Sequence, residues 1–231
     1  MTAKAQDHAV PELLDTERLF ETALVRRSRG NIYRKGGKRL LDVICVALMA
    51  LPAIVLVLPF LALLSLDGHS PFYRQKRVGR DGRVFDMWKL RSMVPDADRM
   101  LEAHLAANPD ARAEWEWSQK LRDDPRITPI GRFIRKSSID ELPQLWNVLT
   151  GDMSLVGPRP MTPEQRELYP GLAYYALRPG ITGYWQTSVR NESSFAERAL
   201  HDTRYFRDLS FGTDLKVLLR TVRVVLNATG R

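Results

Sequence analysis

The sequence predicts a mixed α/β (α+β) protein, mostly helical with one small β-hairpin, held at a membrane by its N-terminal part. Three observations carry this reading. Val43 to Leu66 contains no charged side chain. Two short segments rich in aromatic and β-branched residues flank the turn-forming Arg80-Asp81-Gly82. Further on, Asp96 to Lys120 is rich in Ala, Glu and Leu, and Asp214 to Leu226 repeats apolar residues at helical spacing.

A chain of 231 residues has room for one sizeable core with an attached tail. Its organisation reads as a tail over residues 1–37, an apolar segment over 38–67 and a polar domain over 68–231. The tail shows no convincing period and reads as partly disordered. Cys45 is the sole cysteine, so no intrachain disulfide can form. The formal net charge of +8 implies anionic partners: phosphates, anionic lipids or nucleic acid.

The uncharged run is long enough to cross a bilayer, which takes about 20 apolar residues. Both of its flanks are basic, however. Lys35, Lys38 and Arg39 precede it, and Arg74, Lys76, Arg77 and Arg80 follow. Basic flanks favour the cytoplasmic side, so both ends prefer the same face. Pro52 stands near mid-segment, where it removes a backbone donor and crowds the preceding turn. The residues alone leave two forms open, a kinked spanning helix and a re-entrant one broken at Pro52.

The remaining elements follow in order. Phe72–Gln75 and Arg83–Trp88 read as the two strands of the hairpin. Asp96–Lys120 reads as helix interrupted near Asn108-Pro109, because the residue before a proline disfavours helical geometry. In Asp214–Leu226, Leu215, Leu218, Leu219, Val222 and Val225 form a stripe that packs on the core or lies along a lipid interface, core packing being the default.

Ser138-Ile139-Asp140-Glu141 has the spacing of a capping box, just ahead of the apolar Leu142, Leu145 and Trp146. With Ser138 or Asp140 as the cap, both acids stand at a helix N-terminus, where the dipole keeps carboxylates ionised. Arg132, Arg135 and Lys136 precede the pair, and Arg159 follows in Gly157-Pro158-Arg159-Pro160. Carboxylates between guanidinium groups suit a phosphorylated substrate and a metal ion. A helix cap with surrounding surface charge accounts for the same residues.

Ser138 to Pro160 closely resembles the signature block of the bacterial sugar transferases, the monotopic polyprenyl-phosphate phosphoglycosyl transferases. Arg178-Pro179-Gly180-Ile181-Thr182-Gly183-Tyr184-Trp185-Gln186 resembles a second block. Lys38–Asp42, Phe72–Gly79 and Lys89–Met93 resemble others, in the expected order. The likeness runs from about Lys38 to near the C-terminus and is closest to the short exopolysaccharide form. It implies a re-entrant helix broken at Pro52, at the cytoplasmic face of the bacterial inner membrane, with 68–231 as the catalytic domain. It also implies that Asp140 attacks a UDP-sugar, that Glu141 helps Asp140 hold Mg²⁺, and that undecaprenyl phosphate accepts the sugar phosphate. Arg135 and Arg159 match phosphate-contacting positions. Lys89, Arg91, Arg178 and Arg190 are further phosphate or nucleotide candidates. Galactose or glucose fits the short form by analogy, and a homo-oligomer is compatible with it.

Other features carry less. His8, His69, His104 and His201 lack metal-ligand spacing. Trp115 and Trp117 suit packing more than interfacial anchoring. Two other classes compete with an enzyme: a membrane-anchored scaffold without catalysis, and a nucleic-acid binder. Charge alone suggests the binder, and the apolar segment argues against it.

Overall fold

The computed structural model describes residues 32–119, 121–188 and 195–226. The uncharged run folds as α1 (Lys38–Ser65), entered through a π-helical turn at Tyr33–Gly37. Pro52 and Pro59 both lie inside α1, which continues through them. The break expected at Pro52 is therefore corrected to an unbroken helix. Each proline removes one donor from the ladder, a loss that apolar helices tolerate when the neighbouring backbone adjusts.

Among the shielded positions of α1, Asp42, Val46, Ala50, Ala53, Val57, Leu61 and Leu64 recur every three or four residues along one face. Near the start, Asp42 accepts from Ser154 Oγ and Leu155 N–H, each at 3.0 Å. Near the end, Val57 and Leu64 pack with Leu90, Ile134 and Ile139. Both ends of the apolar helix thus rest on one domain. Its other face, with Leu48, Leu51, Ile54, Val55 and Leu58, is exposed.

The hairpin forms as expected and is longer than the sequence suggested. β1 (Phe72–Val78) pairs antiparallel with β2 (Val84–Leu90), from Phe72 opposite Leu90 to Val78 opposite Val84. Asp81 and Gly82 both take positive φ in the turn between them. α2 (Ala97–Ala107) and α3 (Pro109–Ser118) meet at an extended Asn108, the interruption that Pro109 imposes. In α4 (Pro129–Lys136) the cap Thr128 accepts from Gly131 N–H at 2.9 Å.

α5 (Gln144–Thr150) ends at Gly151, whose left-handed φ of 92° suits glycine. β3 (Ser154–Val156) then pairs in parallel with β4 (Gly180–Thr182). This small sheet depends on close backbone approach, since a Cβ on Gly180 would stand 2.1 Å from Gly157 N. The approach fixes the Gly157–Pro160 loop against β4. α6 (Arg198–Asp208) and α7 (Phe211–Leu226) close the fold, with Tyr205, Phe206 and Val217 packed against Val148, Met153 and Leu155.

The sequence left the α7 stripe either on the core or along a lipid interface, and the structure divides it. Among the described residues of α7, Asp214 and Val217 are buried and Leu218 packs against the core, whereas Leu215, Leu219 and Val222 are exposed. Tyr33 ties the start of α7 to the start of α1, through a hydrogen bond to Asp214 and an edge contact with Phe211.

Candidate active site

The acid pair does not form the expected capping box. Ser138 adopts a left-handed conformation and makes no side-chain cap, and Ile139–Glu141 is a 3₁₀ turn. α5 begins only at Gln144, beyond Pro143. Ile139, packed beside Leu90 and Ile134, draws the turn inward and leaves Asp140 only 4 % exposed. Burial pushes the Asp140 pKa above the usual carboxylate range. A helix dipole holding it ionised is therefore not what governs this side chain. The opposing influences, strongest first, are Lys89, Arg135 and Arg159, while Glu141 adds to the upward push.

Lys89 comes from β2. Its Nζ lies 2.9 Å from Glu141 Oε1 and 3.8 Å from Asp140 Oδ2. Asn147 sets this register. Its Oδ1 accepts from Trp88 N–H at 3.0 Å and its Nδ2 donates to the Asp86 carbonyl at 2.8 Å. One buried amide thereby clamps α5 to β2 beside the acids. The role was not evident in the sequence, because Asn147 lies in a segment that reads simply as amphipathic helix.

Arg135 projects from α4 and is itself lowered by burial, with Asp140 the strongest influence raising it. Arg159 reaches the site from the rigid Gly157–Pro160 loop and stands over the Trp185 ring at 5.7 Å. Two more arginines join it. Arg198 lies over Trp185 at 4.3 Å and Phe195 at 4.4 Å. Arg77 donates to the Pro160 carbonyl at 3.2 Å and to Gln75 Oε1. Burial, and then the neighbouring Arg159, pulls Arg77 down to about 10 and Arg198 to about 9. Among the described residues, the buried Nε of each makes no hydrogen bond. This is a set of cations with too little counter-charge, as an incoming polyanion requires. Arg77 was visible as a basic flank of the apolar run and within the Phe72–Gly79 block, with no role assigned to it. Arg198 carried no local signal.

Other expected residues stand elsewhere. Arg91 chelates Asp67 at 2.6 and 2.7 Å and donates to the Leu64 and Ser70 carbonyls at 2.7 and 2.9 Å. It closes the C-terminal end of α1 and is not brought to the acid pair. Arg178 donates from Nε to the Gly151 carbonyl at 2.9 Å, past the opposite end of α5. Arg190 lies outside the described residues.

Among the described residues no group of three or more His, Cys, Asp or Glu side chains could hold a metal ion. Asp140 and Glu141 still fit magnesium, which is commonly held by one or two carboxylates and completed by water and substrate phosphate. Lys89 Nζ already occupies a cationic position beside the same two carboxylates.

The fold and the site together define a membrane-associated protein whose buried carboxylate faces a cluster of lysine and arginine. The chain belongs to the bacterial sugar transferase family, whose profile matches residues 33–228. It is 49 % identical over 187 residues to the UDP-galactose-lipid carrier transferase of Erwinia amylovora, covering 78 % of this chain and 39 % of that protein. It is 42 % identical over 212 residues to the undecaprenyl-phosphate galactose phosphotransferase of Salmonella typhimurium, covering 90 % and 44 %. The exopolysaccharide production protein ExoY of Sinorhizobium fredii is also 42 % identical over 212 residues, at 89 % and 93 % coverage. The chain thus spans about two fifths of the first two relatives and nearly all of the third.

Proposed function

We propose that this chain moves a sugar 1-phosphate from a UDP-sugar to undecaprenyl phosphate and releases UMP, as the first membrane step of exopolysaccharide or glycoconjugate synthesis. The observation that carries the reading is the buried Asp140 carboxylate, set 3.8 Å from Lys89 with Arg135 and Arg159 close enough to shift its pKa. The names of the Salmonella and Erwinia relatives support galactose as the sugar, and glucose is the second choice.

The reaction has two displacements at one phosphorus. An ionised Asp140 oxygen attacks the β-phosphorus, the bond to the bridging oxygen breaks, and its electron pair leaves on UMP. A phosphate oxygen of undecaprenyl phosphate then attacks the same phosphorus. The bond to Asp140 breaks, and its carboxylate is restored. Arg135, Arg159 and Lys89 hold the phosphate oxygens and offset the charge that gathers on them. Arg77, and Arg198 over Trp185, extend this cationic surface toward the departing nucleotide. Mg²⁺, when bound at Glu141 and Asp140, would neutralise the diphosphate and its leaving group.

The lipid acceptor requires a membrane, and we read the protein as monotopic at the cytoplasmic face. Both ends of α1 pack on one domain, which a straight crossing of the bilayer would separate. The exposed Leu215, Leu219 and Val222 of α7 supply an interfacial surface beside the start of α1.

The test is UMP release from a panel of UDP-hexoses, with Mg²⁺ and undecaprenyl phosphate. One or two sugars should yield UMP together with a diphosphate-linked lipid. If no UDP-sugar gives either product, the chain is a membrane-anchored scaffold and the assignment fails.

A further inference from the structure

Arg34, Lys35, Lys38 and Arg39 from the start of the apolar segment, Arg80 from the hairpin turn and Arg178 from the loop before β4 line one cavity of about 540 Å³. Among the described residues, no carboxylate lines it. Some of these cations are fixed in place by the fold. Lys38 pairs with Asp214 at 2.7 Å, and Arg39 donates to the Val148 and Leu149 carbonyls. Lys35 is exposed, and so is Arg80, whose Nε stands 3.5 Å from Asp81 Oδ2. Burial, and then the nearby Arg80 and Arg39, holds Arg178 below the ordinary arginine range. Like charges crowded around a cavity favour an anionic occupant.

The remaining side chains of the lining are apolar. Leu40 and Val43 are exposed and begin the outward face of α1. The cavity therefore joins a cationic lining to the exposed apolar face of α1. Its preferred occupant carries a phosphate at one end and an apolar chain at the other. It is separate from the acid pair. Asp140 and Glu141 precede the N-terminal end of α5, whereas Arg39 and Arg178 bond to carbonyls at and beyond its C-terminal end. Seven helical residues place about 10 Å between those ends.

We propose that this cavity seats the phosphodiester head group of an anionic bilayer phospholipid, with its acyl chains along the outward face of α1. An acceptor lipid is the poorer occupant, because its phosphate has to reach the phosphorus at Asp140; in that clause the inference rests on the proposed function.

The test is native mass spectrometry of the detergent-solubilised full-length protein with phosphatidylglycerol or phosphatidylcholine. A melting curve of each variant without lipid confirms that it is folded. Wild type should retain phosphatidylglycerol in clear preference to phosphatidylcholine. The K35Q/R80Q double variant should lose that preference several-fold at an unchanged melting midpoint, and K35R/R80K should keep it. Equal retention of the two lipids, or undiminished retention in K35Q/R80Q, overturns the proposal. Displacement of phosphatidylglycerol by inorganic phosphate alone would make the cavity a free-phosphate site. Preferential retention of undecaprenyl phosphate would make it an acceptor site. Either result overturns the assignment to bilayer lipid. No transferase assay enters these readouts, so failure of the proposed activity would be seen separately.

Discussion

Lys89 Nζ stands 2.9 Å from Glu141 Oε1 and 3.8 Å from Asp140 Oδ2, so a single ammonium group serves both acids. Burial raises Asp140, and Lys89 is the strongest group pulling it back down. The nucleophile must be ionised, so the rate rises with pH as the acid pair loses its proton. The acid limb of UMP release should therefore lie above the ordinary carboxylate range. Lys89→Met should move it higher still and lower the plateau by about 10- to 100-fold. Lys89→Arg should recover part of the shift. A limb that stays in place in Lys89→Met would show that Lys89 does not set the ionisation of the pair.

Asn147 is 2 % exposed and uses both ends of its amide to join β2 to α5. Asn147→Leu leaves the Trp88 N–H and the Asp86 carbonyl without that partner. The expected cost is about 2–4 kcal/mol, read as a lower denaturant midpoint. UMP release should fall by more than the unfolded fraction explains, because Lys89 loses its register with the acids.

Asp202 is buried against Tyr169, whose hydroxyl donates to Oδ2 at 2.7 Å. Burial raises its pKa from 3.8 to about 7. The unfolded chain releases this proton at lower pH than the native protein does. The stabilisation from a protonated Asp202 is therefore complete below the unfolded value and is lost as pH rises toward about 7. Asp202→Asn can still accept from Tyr169. It should flatten the fall in thermal midpoint between pH 4 and 7, and a slope equal to wild type would contradict the assignment.

The hairpin, the interruption at Pro109 and the apolar segment were legible in the sequence because each rests on local chemistry. A turn, a proline and a lack of charge act where they stand. The β3–β4 pair was not legible, since two three-residue strands 26 positions apart meet through glycine contacts that local pattern does not encode. Asp140, Glu141, Arg135, Arg159 and Lys89 were all named in advance, and the structure gathers them. Arg91 and Arg178 stand away from that group, Arg91 on Asp67 and Arg178 on the Gly151 carbonyl, because an arginine looks the same in sequence wherever the fold takes it. The capping-box reading failed because Ser138 takes a left-handed conformation while Ile139 is drawn into the core.

The central claim is a covalent bond between Asp140 and a glycosyl phosphate. Intact-mass measurement after acid quench tests it most directly, using wild type and Asp140→Asn with the active UDP-sugar and Mg²⁺ but no lipid acceptor. Wild type should gain one sugar phosphate, with fragment spectra placing it on Asp140. Asp140→Asn should stay unmodified and fold normally, and its UMP release should fall at least about a thousandfold. An unmodified wild-type protein that releases UMP only when acceptor is present, or an Asp140→Asn variant that retains its rate, would contradict the account.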